Sequence, residues 1–295
     1  MKLTIKEFRK LYPDNAACLD KLFRIRYGNL DNCPECGHNA DFRRITTRQC
    51  YQCRFCYHQI YPCAGTIFEK STTPLTYWFY AMWLIIVTRN GVSAKSLERH
   101  LGVTYKTAWR MLHQIRKLMA GVEIDKLRGF VEVDETYVSK YKDKPEVDRK
   151  GKRGRVSGDD TTVVGMVERR GKVIAKAVKD AKKATIYPLI NAHIDKTAII
   201  STDEHRTYKN LGNEGYKHGI IRHDFKIYRE GQVSTNTIEG YFSQLKRMIG
   251  GTHTWVSEKW LQNYINEACF RYNNRNKGNQ MFDVLIECLN KEKTE

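Results

Sequence analysis

"FVEVDETYV", residues 130–138, carries the decision about the fold. Val131, Val133 and Tyr137 lie on one face of an alternating strand, and Glu132, Asp134 and Thr136 on the other. A strand this rich in β-branched and aromatic residues belongs in a sheet. A carboxylate at its centre is costly to desolvate unless a cation joins it. The stretch therefore predicts a buried strand and a charged partner for Asp134.

The residues that follow extend the strand into an α/β domain. "TTVVGMVERR", "KVIAKAV" and "TAIISTD" read as further strands, and "ATIYPLINAHI", "TNTIEGYFSQLKRMI" and "SEKWLQNYINEACFRYNNR" as helices. Two more acids fall where a metal-dependent nuclease needs them. Asp203 stands at the C-terminal edge of "TAIIST", with 68 residues between it and Asp134, and Glu239 follows after another 35 near the start of a helix. In-line displacement at phosphorus uses two divalent ions about 3.5–4 Å apart, one for the attacking oxygen and one for the leaving oxygen. Mg²⁺ takes oxygen ligands and few carboxylates. Lys246, seven residues after Glu239, shares its helix face and offers a cation to a phosphate. Ordinary roles stay open for each residue alone: a strand-end acid paired with a base, a turn aspartate, a helix-surface ion pair.

The N-terminal part has a different chemistry. "CPECG" supplies Cys33 and Cys36, and "CYQCRFC" supplies Cys50, Cys53 and Cys56. Two C-x-x-C knuckles across a hairpin suit a closed tetrahedral zinc site with a structural role. Cys53 with Cys56 is the favoured second pair; Cys50 with Cys53 has the same spacing, and His38 and His58 could substitute. Cys18, Cys63, Cys269 and Cys288 lack such spacing and read as structural. Between ribbon and sheet, "SAKSLERHLGVTYKTAWRMLHQI" has the layout of a helix-turn-helix. Ser93 and Thr104 are its caps, Gly102 its turn, and Ala108, Met111 and Leu112 its packing face. Lys106, Arg110 and Arg116 are expected to be exposed on the second helix.

Composition agrees with a nucleic-acid partner. The 295-residue chain carries 51 basic against 33 acidic side chains, a net charge of +18, and is 41% hydrophobic. Such an excess attracts polyanions. It is clustered in "KYKDKPEVDRKGKRGRV", residues 140–156, which has eight basic residues and is expected to be a mobile loop. That loop is either a solvated hairpin tip or a phosphate-contacting arm. No apolar run approaches the ~20 residues of a membrane span, and "MKLTIKEFRK" lacks the apolar core of a signal peptide. A reducing compartment is expected, with metal rather than disulfides as the use of the nine cysteines.

Taken in order, the ribbon with "CAGTIFEKSTTPLTYWFYA", then "GVSAKSLERHLGVTYKTAWRML", "VEVDETYV", "STDEH" and "STNTIEGYFSQLKRMIGGTHTWVSEKWLQNYINEACFRYNNR" resemble the DDE transposases of bacterial insertion sequences, in particular the ISXO-type group with an N-terminal zinc ribbon. The resemblance covers nearly the whole chain. It implies a ribonuclease H-like catalytic domain (a mixed sheet with flanking helices), preceded by a zinc ribbon and a helical segment. The expected bounds are 1–66 for the ribbon, 67–126 for the helical segment and 127–295 for the catalytic domain. It implies two Mg²⁺ or Mn²⁺ ions held by Asp134, Asp203 and Glu239, and one structural Zn²⁺. Asn236 is a further candidate, since members of the group vary at the third acid. His253, Arg271, Asn273 and Arg275 match the C-terminal pattern. These four join Lys106, Arg110, Lys150, Lys152, Arg153 and Arg155 as expected DNA contacts. The implied activity is cleavage and strand transfer at element ends, on double-stranded DNA, by a homo-oligomer in the cytoplasm at the nucleoid. The alternatives are a DNA-binding regulator and a nuclease of the same fold that only hydrolyses.

Overall fold

The computed structural model describes residues 3–139, 160–221, 229–230 and 233–290. The chain forms two compact units, 1–122 together with 277–295, and 123–276. Ribbon and helical segment thus share one unit, and the chain's end returns to it instead of staying with the catalytic segment. The physical reason is Phe282, 1% exposed. Its ring lies 6.0 Å from Phe8, 5.7 Å from Tyr12 and 6.3 Å from Phe79, an aromatic cluster that the C-terminal helix Met281–Glu287 completes.

In the first unit, α1 (Ile5–Leu11) starts with a capping box between Thr4 and Glu7, and α2 (Asn15–Tyr27) starts with Asp14 accepting the Ala17 N–H. The ribbon is a three-stranded antiparallel sheet of β1 (Phe42–Ile45), β2 (Cys50–Cys53) and β3 (Gln59–Ile60). It packs on α2 through Phe23, stacked 4.0 Å from the Tyr51 ring, and through the Tyr51 hydroxyl donating to Asp20. The next helix, α3 (Leu75–Val87), is apolar on nearly every side and buries eight of its 13 residues. No helix among the described residues is long and apolar enough to cross a membrane.

Helices α4 (Ala94–Leu101) and α5 (Tyr105–Ala120) form the helix-turn-helix layout. Ser93 Oγ accepts the Ser96 N–H at 3.0 Å, and Thr104 Oγ1 accepts the Thr107 N–H at 3.3 Å. Gly102 takes the left-handed conformation between them, φ 66°, where a side chain would be strained. Lys106 and Arg110 are exposed, and the Arg110 guanidinium lies over the Trp78 ring and donates to Ser71 Oγ. Arg116 departs from expectation. It is 1% exposed and donates to the Val92 carbonyl. The helical period explains this: positions 108, 112 and 116 share a face, and that face packs inward.

The second unit is a five-stranded sheet of β4 (Phe130–Ser139), β5 (Asp160–Glu168), β6 (Val173–Val178), β7 (Ile199–Thr202) and β8 (Lys217–Ile220), in the order β6-β5-β4-β7-β8. The three consecutive strands β4, β5 and β6 are antiparallel, and β4, β7 and β8 are parallel. This is the ribonuclease H-like arrangement. Helix α6 (Lys183–His193) covers one face, packing Ile186 and Ile190 on Val131, Val133, Val164 and Ile200. A short ribbon of β9 (Arg229–Glu230) and β10 (Val233–Ser234) precedes α7 (Asn236–Met248). With α8 (Glu258–Asn273), α7 covers the other face, packing Ile238, Phe242, Leu245 and Ile265 on Val138, Val163, Val167 and Val173.

The outer edge of β6 is closed by side chains of α8. Asn273 accepts the Val173 N–H at 2.7 Å and donates to the Val173 carbonyl at 2.9 Å. Gln262 accepts the Ala177 N–H at 2.9 Å and donates to the Ala175 carbonyl at 3.4 Å. These amides take the part of a missing neighbour strand. Asn273, matched to the family's C-terminal pattern, therefore has a structural task. The basic insertion 140–156, with Lys150, Lys152, Arg153 and Arg155, lies outside the described residues.

Candidate active site and zinc centre

The alternation of β4 decides which side chains can meet. Glu132, Asp134, Thr136 and Val138 face α7, while Val131, Val133, Glu135 and Tyr137 face α6. Asp134 sits opposite Gly165 of β5. On the other side, β4 pairs with β7 in parallel up to Glu132↔Ser201. Two further steps in this register bring Asp134 level with Asp203, just past the end of β7. Glu239 lies in the first turn of α7.

The electrostatics register this convergence. The Asp134 carboxyl is pushed up to about 8, first by burial, then by the negative charges of Asp203 and Glu135, and also by that of Glu239. The Asp203 carboxylate accepts the His205 N–H at 3.0 Å, an Asx-type turn that fixes it at the strand end. Glu239 is exposed and accepts from the Thr235 hydroxyl at 3.1 Å. Asn236 and Lys246 are also exposed on α7, and Lys246 stands two turns, about 10 Å, beyond Glu239. An all-oxygen donor set with unbalanced negative charge fits a hard divalent cation such as Mg²⁺.

Gly165 lets α7 approach this closely. A Cβ there would stand 2.6 Å from Ile238 Cδ1 and 2.8 Å from Phe242 Cζ. The helix that carries Glu239 thus lies directly on the backbone opposite Asp134.

Two acids beside Asp134 on the same strand, Glu132 and Glu135, have definite places. Glu132 is 0% exposed. Its Oε2 accepts the Thr237 N–H at 2.7 Å and the Ile238 N–H at 3.0 Å, and its Oε1 accepts the Thr237 hydroxyl at 3.0 Å. Arg169 donates to the same Oε1 through Nε at 3.2 Å and Nη2 at 3.1 Å. Glu135, on the opposite face, accepts the Tyr208 hydroxyl at 2.6 Å and has His205 Nδ1 at 3.6 Å; burial raises its carboxyl above the usual range. One signal was present in the sequence: a glutamate on the same strand face as Asp134 needs a partner as much as Asp134 does. Thr237 and Arg169 are too far along the chain for spacing to reveal them.

In the ribbon, Cys33, Cys36, Cys53 and Cys56 gather their sulfurs within 4.8 Å of one another. The Sγ separation is 3.7 Å for Cys33–Cys56 and 3.9 Å for Cys36–Cys53. Zn–S bonds of about 2.3 Å in a tetrahedron require edges of about 3.8 Å. The quartet fits Zn²⁺, with no protein ligand missing. Both knuckles are built alike: the Cys33 N–H bonds the His38 carbonyl, and the Cys53 N–H the His58 carbonyl, each at 2.8 Å. Cys50 points elsewhere, with its sulfur 3.9 Å from Gln59 Oε1. His38 stacks on Phe55 and His58 lies near Glu35, so neither imidazole joins the quartet.

The expected DNA contacts in the second unit divide. Arg275 is exposed, with its guanidinium over the Tyr272 ring and bonded to the Gly171 and Tyr272 carbonyls. His253 packs edge-on against Tyr264. Arg271 is partly buried: its side chain is 15% exposed and paired at 3.0 Å with Glu267, which is 0% exposed. A buried carboxylate demands that partner.

A zinc ribbon and a helix-turn-helix layout, followed by a ribonuclease H-like sheet with acids gathered at its strand ends, define a protein of the transposase class. The ISXO2-like transposase domain matches residues 126–273, and the transposase zinc-ribbon domain matches residues 13–59. The chain belongs to the ISXO2-like transposase family. An uncharacterized protein in transposable element ISH50 of Halobacterium salinarum is 27% identical over 271 residues, 87% of this chain and 90% of that protein. Among solved structures, a chain of a simian T-cell lymphotropic virus intasome in complex with PP2A regulatory subunit B56 gamma aligns with TM-score 0.29 and 14% identity. That alignment covers 59% of this chain and 63% of that one, less than two thirds of its length. A chain of a pre-cleavage Mos1 transpososome aligns with TM-score 0.21 and 9% identity, over 70% of this chain and 76% of that one.

Proposed function

We propose that this chain is a DDE transposase that binds the ends of its own insertion element and cuts and joins DNA there with divalent-metal help. The observation that supports the reading is the burial of Asp134 within reach of the charges of Asp203, Glu135 and, more weakly, Glu239, which together raise its carboxyl to about 8. Carboxylates that repel one another at a strand end are a site prepared for cations. Divalent ions held there would activate the attacking oxygen and stabilise the leaving one.

This chain's residues divide the remaining work. Asp134 and Asp203 are fixed by the sheet, and Glu239 by the packing of α7 at Gly165. Lys246 steadies a phosphate along the same helix. In the first step the oxygen of water bonds to phosphorus at the element end, and the bond to the 3′ oxygen breaks to leave a free 3′-OH. In the second, that hydroxyl attacks a target phosphodiester, its oxygen bonds to phosphorus, and the 3′ oxygen of the target leaves as a 3′-OH. Each in-line attack inverts phosphorus. Lys106 and Arg110 on α5, with Arg275, are the described residues suited to hold backbone phosphates. The four ribbon cysteines hold Zn²⁺ in a structural role. Copies of the chain pair to bring two ends together.

The test uses labelled element ends and a supercoiled target plasmid with Mg²⁺. The wild type is expected to give both nicked ends and joined products, and Asp203→Asn neither, with end binding unchanged. Nicked ends without joining would make the protein a nuclease. Binding with no cutting by the wild type would make it a regulator. A related expectation concerns Gly165→Val: pushing α7 off the sheet by an ångström displaces Glu239 and should slow cleavage by about 100-fold. Full activity in that variant would show that the close approach is not needed.

A further inference from the structure

We infer that Glu132 is a positioning residue that sets the span between Asp134 and Glu239, and so the affinity of the acidic site for divalent cations. The inference rests on the catalytic reading above. It starts from an omission in α7. The first N–H groups of a helix have no partner inside the helix, and a side chain at the N-cap commonly supplies one. Thr235, the N-cap residue, makes no such bond. The Glu132 carboxylate supplies it from the neighbouring strand, taking the N–H groups of Thr237 and Ile238 on one oxygen and the Thr237 hydroxyl on the other. A full negative charge at that end also suits the helix dipole.

The position of this clamp gives it a functional meaning. Glu239 is the residue after Ile238, and Asp134 is two residues from Glu132 on the same face of β4. One short piece of strand therefore presents one acid of the site and grips the helix that presents another. The Glu239 side chain is exposed, so its placement depends on its backbone more than on packing. Arg169 fixes the clamp from behind with two bonds to Oε1, and Glu132 is 0% exposed. Glutamine at this position would keep the size but lose an acceptor. Its NH₂ group would face Arg169 or the two N–H groups of the helix, donor against donor. The start of α7 would move, and the span with it.

The experiment measures Mn²⁺ binding to the zinc-loaded full-length protein without DNA, from the loss of the free-ion electron paramagnetic resonance signal. Glu132→Gln is expected to weaken Mn²⁺ binding on the order of tenfold, the usual effect of removing a group that orients a metal ligand. The concentration of Mn²⁺ needed for half-maximal end cleavage should rise in step. Val131→Ala, a core change on the opposite face of the same strand, controls for lost stability and should bind Mn²⁺ like the wild type. Unchanged Mn²⁺ affinity in Glu132→Gln would overturn the inference, as would equal weakening in Val131→Ala. Should Glu132→Gln fail to fold, Glu132→Asp decides the matter, because it keeps the charge for Arg169 and shortens the reach to α7. The same weakening is expected there, and wild-type affinity would overturn the inference. Asp134→Asn tests the underlying reading separately. If it binds Mn²⁺ as tightly as the wild type, the acidic site is not the metal site, and both ideas fall.

Discussion

An Asp134→Asn protein will lose end cleavage by about 1,000-fold or more, since the ions it would help hold are worth several kcal/mol to the reaction. Without divalent ions it will also be the more stable protein at neutral pH. The second effect follows from the position of Asp134. Burial, then the charges of Asp203 and Glu135, raise its carboxyl to about 8 in the folded protein, against about 4 in an unfolded chain. Between those values the folded state holds a proton that the unfolded state has released, so stability falls as pH rises. The contribution is complete below about pH 4 and gone above about pH 8. The metal-free wild type should therefore drop in melting temperature by roughly 3 °C per pH unit across that window. The variant should show a shallower slope, with a remainder from Glu135, whose carboxyl is also raised. Millimolar Mg²⁺ should flatten the wild-type profile and leave the variant's nearly unchanged. Thermal melts at half-unit pH steps, with and without Mg²⁺, check this. Equal slopes for the two proteins would show that Asp134 is not the strained group.

Replacing Cys36 by serine will release the zinc and unfold the ribbon. The ribbon has little else to hold it: β1 and β2 are four residues each and β3 is two. Isolated strands this short are not stable in water. Structural zinc contributes about 10–16 kcal/mol in zinc-finger peptides, far above what a sheet of this size supplies. The wild type should carry about one zinc per chain, and Cys36→Ser close to none. Trypsin should then cut the variant rapidly at Arg43, Arg44, Arg48 and Arg54, while the second unit is cut no faster than in the wild type. Binding to element ends should fall with the ribbon. Cys50→Ser, outside the sulfur quartet, should keep its zinc. A Cys36→Ser protein with the wild-type cleavage pattern would show that the ribbon stands without metal.

The sequence carried the local features well and the long-range ones poorly. The strand at 130–138, the C-x-x-C knuckles and the helix caps at Ser93 and Thr104 depend on neighbours within a few residues, and such patterns can be read along the chain. The alignment of Asp134 with Asp203 depends on a parallel register that no spacing encodes. The chemistry of phosphoryl transfer and the resemblance to a family, not periodicity, link those acids along the sequence. Arg116 was expected at the surface because charge suggests exposure, whereas its place on an inward helix face buries it. Glu132 was passed over for the related reason that its partners lie 37 and 105 residues away. The return of Phe282 to the first unit was hidden in the same way, since one aromatic residue in a short helix does not announce which core it will join.

The closed edge of β6 bears on how copies of this protein can assemble. Protein chains that gather at high local density on one DNA molecule risk joining sheet to sheet through open strand edges, without a fixed end to the process. With Gln262 and Asn273 already occupying the backbone of Val173, Ala175 and Ala177, a second copy cannot lay a strand there without first evicting the amides. Any pairing of copies through this flank must be made by side chains on the outer surface of α8. Such a pairing stops at a set number of copies when the surface is used up, and it can be undone when the joined DNA is released.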